Sequence, residues 1–319
     1  MLQMLIYYYN SLIMLVLVII IMLISVAFLT LYERKIMSIF HYRKGPNKLK
    51  LIGMMQPFSD AMKLLSKEFF YPLSSNLYMY MISPMIMFIL ISMLWLIYPF
   101  YVNMINFNFS ILFFFVIIST GVYGLIFSGW SSNSFFSMLG SVRSIAQSIS
   151  YEIIFSISFI IIFNMINSTN LFYLIFFNKY IMLNLLFYMI MMMIFVGMLA
   201  EINRTPFDLS ESESELVSGF NVEYSSSKFV LIFLAEYSSL MFMMFIFSYV
   251  FFYMNLMNLF MYMFIVFMIF FITWIRISLP RIRYDKLMFF CWVYLLPMIL
   301  ILFIYFLFLK YLFDFTFML

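Results

Sequence analysis

The residues in this chain best placed to do chemistry are carboxylates set inside apolar sequence. Glu152 lies about ten residues into an apolar run that begins near residue 142. At roughly 1.5 Å per helical residue it would sit about 15 Å deep. Glu236 lies about eight residues into a second such run, roughly 12 Å deep on the same rise. An ionisable group in hydrocarbon costs about 3 kcal/mol even on lenient scales, so its presence marks a proton path, an ion path or a buried partner. Ser137, Ser141, Ser144, Ser148 and Ser156 recur with Glu152 at spacings of three and four, which makes one polar stripe on a helix. Arg143 and Gln147 form a second polar row at its charged mouth. The serines alone suit a helix-packing seam. With Glu152 among them, the stripe suits a hydrated proton path. Glu33 and Glu201 stand at the ends of two further apolar runs, either as end caps or as members of the same path.

A second concentration of acid lies in AEINRTPFDLSESESELVSGFNVEY, residues 200–224, where Asp208, Glu211, Glu213, Glu215 and Glu223 crowd one loop. A solvated surface is the bland reading of such a run. The interleaved Leu209, Leu216, Val217, Phe220 and Val222 favour burial instead. Packed carboxylates repel, so some hold a proton near neutral pH. They titrate as a set and can accept and pass protons.

The elements that must position these groups follow from composition. Hydrophobic residues make up 67% of the 319 residues and charged residues 9%, too little polar surface to cover a soluble core. The apolar runs are continuous rather than alternating, which excludes an outer-membrane barrel and leaves helices as the spanning element. Eight spans are expected, at 11–31, 78–98, 109–127, 142–163, 180–199, 229–252, 256–274 and 287–309. The fold class is therefore an all-α polytopic membrane protein, one domain over residues 1–319. No internal repeat is apparent, which weighs against an inverted-repeat transporter. Of the 17 Lys and Arg residues, all but Lys179 and Lys310 fall in, or at the mouth of, the loops after the odd-numbered spans. The positive-inside rule puts those loops in the cytoplasm or mitochondrial matrix, with both termini opposite. In the long first loop, Met55, Phe58, Met62 and Leu65 recur at helical spacing while Lys63 and Lys67 fall on another face. That pattern predicts an amphipathic interfacial helix beginning near Pro57.

Other function classes are excluded by what the chain lacks. One cysteine, Cys291, and one histidine, His41, cannot hold an iron–sulfur centre, a zinc ion or a bis-histidine haem. No glycine-rich nucleotide loop is present, and nothing points to nucleic acid. The first residues, MLQMLIYYYN, carry no basic targeting segment. Together with 33 methionines and abundant Phe, Ile, Tyr and Asn, they suit a protein made inside an organelle from an AT-rich genome. A bacterial plasma-membrane protein is the alternative.

Four segments carry a resemblance: ERKIMSIFHYRKGPNKLKLIGMMQPFSDAMKLLSKE from Glu33, GWSSNSFFSMLGSVRSIAQSISYE from Gly129, AEINRTPFDLSESESELVSGFNVEYSSSKFVLIFLAEY from Ala200, and WIRISLPRIRYDKLM from Trp274. Together they are about a third of the chain, in order and all on its charged side. They resemble the subunit 1 family of respiratory complex I, the proton-pumping NADH:ubiquinone oxidoreductase. The bacterial counterparts of that subunit and the membrane subunits of energy-converting hydrogenases are cousins. The resemblance implies a mitochondrial inner-membrane subunit with its charged loops facing the matrix and its termini in the intermembrane space. It implies a ubiquinone chamber shared with quinone-site subunits of the redox arm, beside small membrane subunits and lipids. Ubiquinone is then the substrate, this chain binds no cofactor, and FMN and iron–sulfur clusters lie on partner subunits. The implied proton path carries over to Glu33, Glu152, Glu201, Asp208, Glu211, Glu213, Glu215 and Glu236. Arg34, Arg143, Arg281 and Arg283 match basic positions near the chamber, and Phe58 and Met62 would line its mouth. Ser212, Ile202 and Phe69 depart from the family's usual Gly, Thr and Pro. Other readings are a stand-alone proton or cation channel or transporter, a membrane subunit of a related hydrogenase complex, and a purely structural anchor.

Overall fold

A computed structural model of the chain describes residues 2–99, 107–180, 183–209, 219–221, 223–252 and 259–318. Backbone N–H and C=O groups in hydrocarbon must be satisfied within their own segment, and long apolar runs therefore close into helices. The expected all-helical membrane architecture holds, and the described residues contain no strand. The elements are α1 (Leu2–Phe40), α2 (Gln56–Ser66), α3 (Leu77–Leu94), α4 (Ser110–Ser131), α5 (Phe135–Ile166) and α6 (Leu171–Tyr180). They continue with α7 (Leu183–Leu186), α8 (Tyr188–Glu201), α9 (Ser226–Phe251), α10 (Leu259–Ser278), α11 (Tyr284–Phe289) and α12 (Leu296–Met318). A π-helical stretch, Phe290–Leu295, joins the last two.

Among the described residues, seven helical stretches are long and apolar enough to cross a membrane. They coincide with seven of the eight expected spans. The expected span at 180–199 falls on α7 and α8 instead. There α7 runs on into α8 through hydrogen bonds from Phe187 N to the Leu183 carbonyl and from Met191 N to the Phe187 carbonyl, and α8 itself has 14 residues. The first helix is longer than its apolar run suggests. It continues to Phe40, so Glu33 lies within the helix rather than capping its end. Pro57 stands in the first turn of α2, where a missing N–H leaves no bond unmade. The helix was expected to begin there.

Aromatic packing joins three of the spans. Phe114 of α4, Phe155 and Phe159 of α5 and Phe242 of α9 are all buried. Their ring centroids lie 4.8–6.0 Å apart in tilted or edge-on pairs, the arrangement that the ring quadrupoles favour. Small residues form part of the α4–α5 seam. A Cβ at Gly129 would collide with the Ser141 side chain and lie 3.0 Å from the Ser137 carbonyl. At its far end α5 stops at Asn167, whose φ of +57° is the left-handed turn that Asn tolerates. Lys310 Nζ of α12 donates there to Asn164 Oδ1 at 2.8 Å and Asn167 Oδ1 at 2.5 Å.

Candidate functional site at the charged end of the bundle

Four elements converge on Glu33, which is 4% exposed. Its Oε1 pairs with Arg276 from the last turn of α10 and with Arg204 at 3.7 Å from the loop after α8. Its Oε2 accepts the hydroxyl of Tyr237 from α9 at 2.8 Å. The Arg204 guanidinium also lies over the Tyr237 ring, 4.5 Å from its centroid. A buried carboxylate with two arginines and a phenol is well satisfied. Deleting the carboxylate would leave the buried Arg204 without its counter-charge, a loss of about 3–5 kcal/mol.

The described start of the loop after α8, residues 202–209, is folded down onto the bundle. Ile202, Arg204, Phe207, Asp208 and Leu209 are buried. Asn203 makes the turn with φ of +54°. Gln147 of α5 clamps the loop from below, its Nε2 donating to the carbonyls of Ala200 at 2.8 Å and Phe207 at 2.7 Å. Ile282 N donates to Pro206 O at 3.0 Å, and Arg281 pairs with Asp208 at 3.3 Å. The loop's other end is pinned to α3. Tyr80 OH donates to the Glu223 carbonyl at 2.6 Å, and the Tyr80 and Tyr224 rings stack at 4.4 Å. Burial pushes the Tyr224 phenol up, opposed in part by its hydrogen bond with Ser83, so it stays neutral in that stack.

Arg204 also borders a cavity of about 110 Å³ between α3, α4, α5 and α9. Glu201, Glu236, Asn203, Ser148 and Ser239 supply its polar wall, and Met87, Ile118 and Val122 are among its apolar lining. Asn203 Oδ1 is buried without a hydrogen-bond partner. An acceptor beside a space of this size calls for water, and several waters fit. Glu152, half-buried on α5, is close enough to Glu201 for the two carboxyls to interact electrostatically.

The structure thus brings together Glu33, Glu201 and Glu236 around Arg204, with Glu152 within electrostatic reach of Glu201. It sets Asp208 against Arg281 nearby. Other expected site residues stand apart. Arg34 pairs with Asp60 and ties α1 to α2. Arg283 pairs with Asp285 at 2.9 Å on the exposed surface. Arg143 is half-buried on α5 and engaged in a contact there. Phe58 and Met62 lie on the outward face of α2, 46% and 73% exposed, with Phe58 edge-on to Phe28 of α1. Glu211, Glu213 and Glu215 lie outside the described residues. Four of the stripe serines, Ser141, Ser144, Ser148 and Ser156, donate to carbonyls three residues back in their own helix, as a packing seam requires. Ser148 alone among the stripe serines also lines the cavity.

Sequence reading missed Arg204, Arg276 and Tyr237 as site residues, and gave Gln147 no partner. In the sequence, Arg204 and Arg276 count only as topological charge. Their one visible signal is position, each just beyond an apolar run on the acidic side. No group of three His, Cys, Asp or Glu residues suited to a metal ion occurs among the described residues.

Fold and site together define a multi-pass helical membrane protein with a caged carboxylate cluster at its charged end. Residues 13–307 match the family described as NADH dehydrogenase. A relative from Apis mellifera ligustica, NADH-ubiquinone oxidoreductase chain 1, is 48% identical over 90% of this chain and 94% of its own length. Proteins of the same name from Aedes aegypti and Mytilus edulis are 44% and 43% identical, over 91% and 87% of this chain and 93% and 91% of theirs. The chain belongs to the NADH dehydrogenase family, as the four segments had indicated.

Proposed function

We propose that this chain is a core membrane subunit of a proton-pumping NADH:ubiquinone oxidoreductase, forming part of the quinone chamber and coupling quinone reduction to proton movement through its buried carboxylates. One observation carries the reading. Arg204 contacts Glu33 on one side and borders the cavity of Glu201 and Glu236 on the other. A charge change at the loop end is therefore one side chain away from the carboxylates inside the bundle.

Reducing quinone to quinol consumes two electrons and two protons. The electrons would arrive from iron–sulfur centres on partner subunits, and FMN would belong to the NADH-oxidising partner. This chain's part is to supply or register the protons. Loss of protons near Asp208 and the neighbouring acidic loop leaves extra negative charge, which strengthens the Asp208 hold on Arg281 and competes with Glu33 for Arg204. Movement of Arg204 then alters the field on Glu201 and Glu236, and water in the cavity can carry a proton between them. Glu152, beside Glu201, extends the path along α5. The charged loops would face the mitochondrial matrix, with both termini in the intermembrane space. Phe58 and Met62, outward on α2, would form an apolar threshold for the quinone tail.

Quinone photo-crosslinking to the assembled complex, followed by peptide mapping, tests the binding half. Label within residues 33–68 or 200–237, blocked by excess quinone, is expected. Clear label on a partner with none on this chain would overturn it.

A further inference from the structure

We propose that an apolar groove in the half of the bundle away from the charged loops is a binding site for one acyl chain of a membrane phospholipid. The groove, about 450 Å³, lies between α1 and α10 and is floored by Met241 and Phe245 of α9. Its α1 wall runs from Met14 to Ser25. At the helical rise, that wall begins roughly 12 Å and ends roughly 28 Å from Glu33. It is thus remote from the carboxylate cluster and independent of the function proposed above.

Three observations select a lipid chain as occupant. The groove opens sideways, because Leu17, Ile21 and Val266 on its rims are all more than 40% exposed. It also lies between two helices long and apolar enough to cross a membrane, so that in a bilayer hydrocarbon and not water would face that opening. Apart from Ser25, whose hydroxyl donates to the Met22 carbonyl at 2.7 Å, its polar groups are gathered at one end. Tyr98, just past α3, and Tyr262, in the first turn of α10, share a hydrogen bond of 2.8 Å between their hydroxyls. That end is the membrane boundary opposite the charged loops, the depth of lipid ester and glycerol groups and of interfacial tyrosines. The register is that of a phospholipid: apolar chain along α1, hydrogen-bonding ester region at the tyrosine pair. A quinone would need its polar head at the other end, near Glu33, to meet the protonating groups.

The test uses the assembled complex in phospholipid vesicles containing a phosphatidylcholine with a diazirine in its acyl chain. The complex is extracted and washed in detergent before irradiation, then mapped by peptide mass spectrometry. Label on residues 14–25 or 262–269 should survive a wash that removes label from the exposed face of α12 at Ile301, Ile304 and Phe308. Val266→Trp, which fills the groove, should abolish the retained label. Val266→Ala, which widens the groove, should keep it. The proposal fails if groove label washes away as readily as that on α12, because the contact is then ordinary bilayer lipid. It fails equally if excess quinone displaces the label, or if the groove residues crosslink to a helix of another subunit. The first comparison needs no variant, so it decides the matter even where Val266→Trp does not assemble.

Discussion

Arg204 holds two sites together, and its loss should be felt in both. Arg204→Met leaves Glu33 neutralised by Arg276 alone and is expected to weaken the assembled chain by about 1–3 kcal/mol. Quinone reduction should fall with it, measured beside the amount of intact complex on native gels. Tyr237→Phe removes only the hydroxyl bonded to Glu33, a loss of about 1.5–3 kcal/mol for a bond to a charged group. Gln147→Leu strips donors from two buried carbonyls and should cost about 2–3 kcal/mol. Hydrogen exchange should then quicken across residues 200–209 while the spans stay protected. The carboxylates themselves were legible in sequence, because an acid inside an apolar run is conspicuous. Their partners were not. Tyr237 and Arg276 lie 204 and 243 positions from Glu33, and no local spacing reports a contact of that range.

Spans were legible because hydrocarbon imposes one rule on every residue of a crossing helix. Their ends were less so, since helix propensity continues after hydropathy stops. The first helix shows this. Its apolar run ends near residue 31, yet the helix continues to Phe40 and carries Glu33 into a buried position. Hydropathy likewise placed a span at 180–199, where α7 and α8 run on to residue 201 and deliver Glu201 to the cavity. The serine stripe was visible as a pattern, but periodicity could not separate seam from path. Packing adds their surroundings, with Ser141 against Gly129 and Ser148 at the cavity. Gly129→Ala should force α4 and α5 apart and destabilise by about 1–3 kcal/mol. Adding Ser141→Gly should recover part of that loss in thermal stability, the part left being due to the Ser137 carbonyl.

For the whole molecule, charge distribution is the most legible property. Almost all of the cations lie toward one end, and the acids that matter are collected just inside it. That asymmetry suits a protein whose chemistry enters from one face, and it disfavours a transporter that opens to both. Composition could not reveal how far the acids communicate. That depends on one arginine bridging an ion cluster and a small cavity, which exists only when α1, α8, α9 and α10 are assembled. The most direct test of coupling is Glu236→Gln in the intact complex, reconstituted in vesicles with NADH and quinone. Proton uptake or release per quinone reduced is followed with a pH-sensitive dye. The proposed path predicts assembled complex whose proton translocation collapses, with quinone reduction slowed. Translocation per quinone equal to that of the unaltered complex would contradict it.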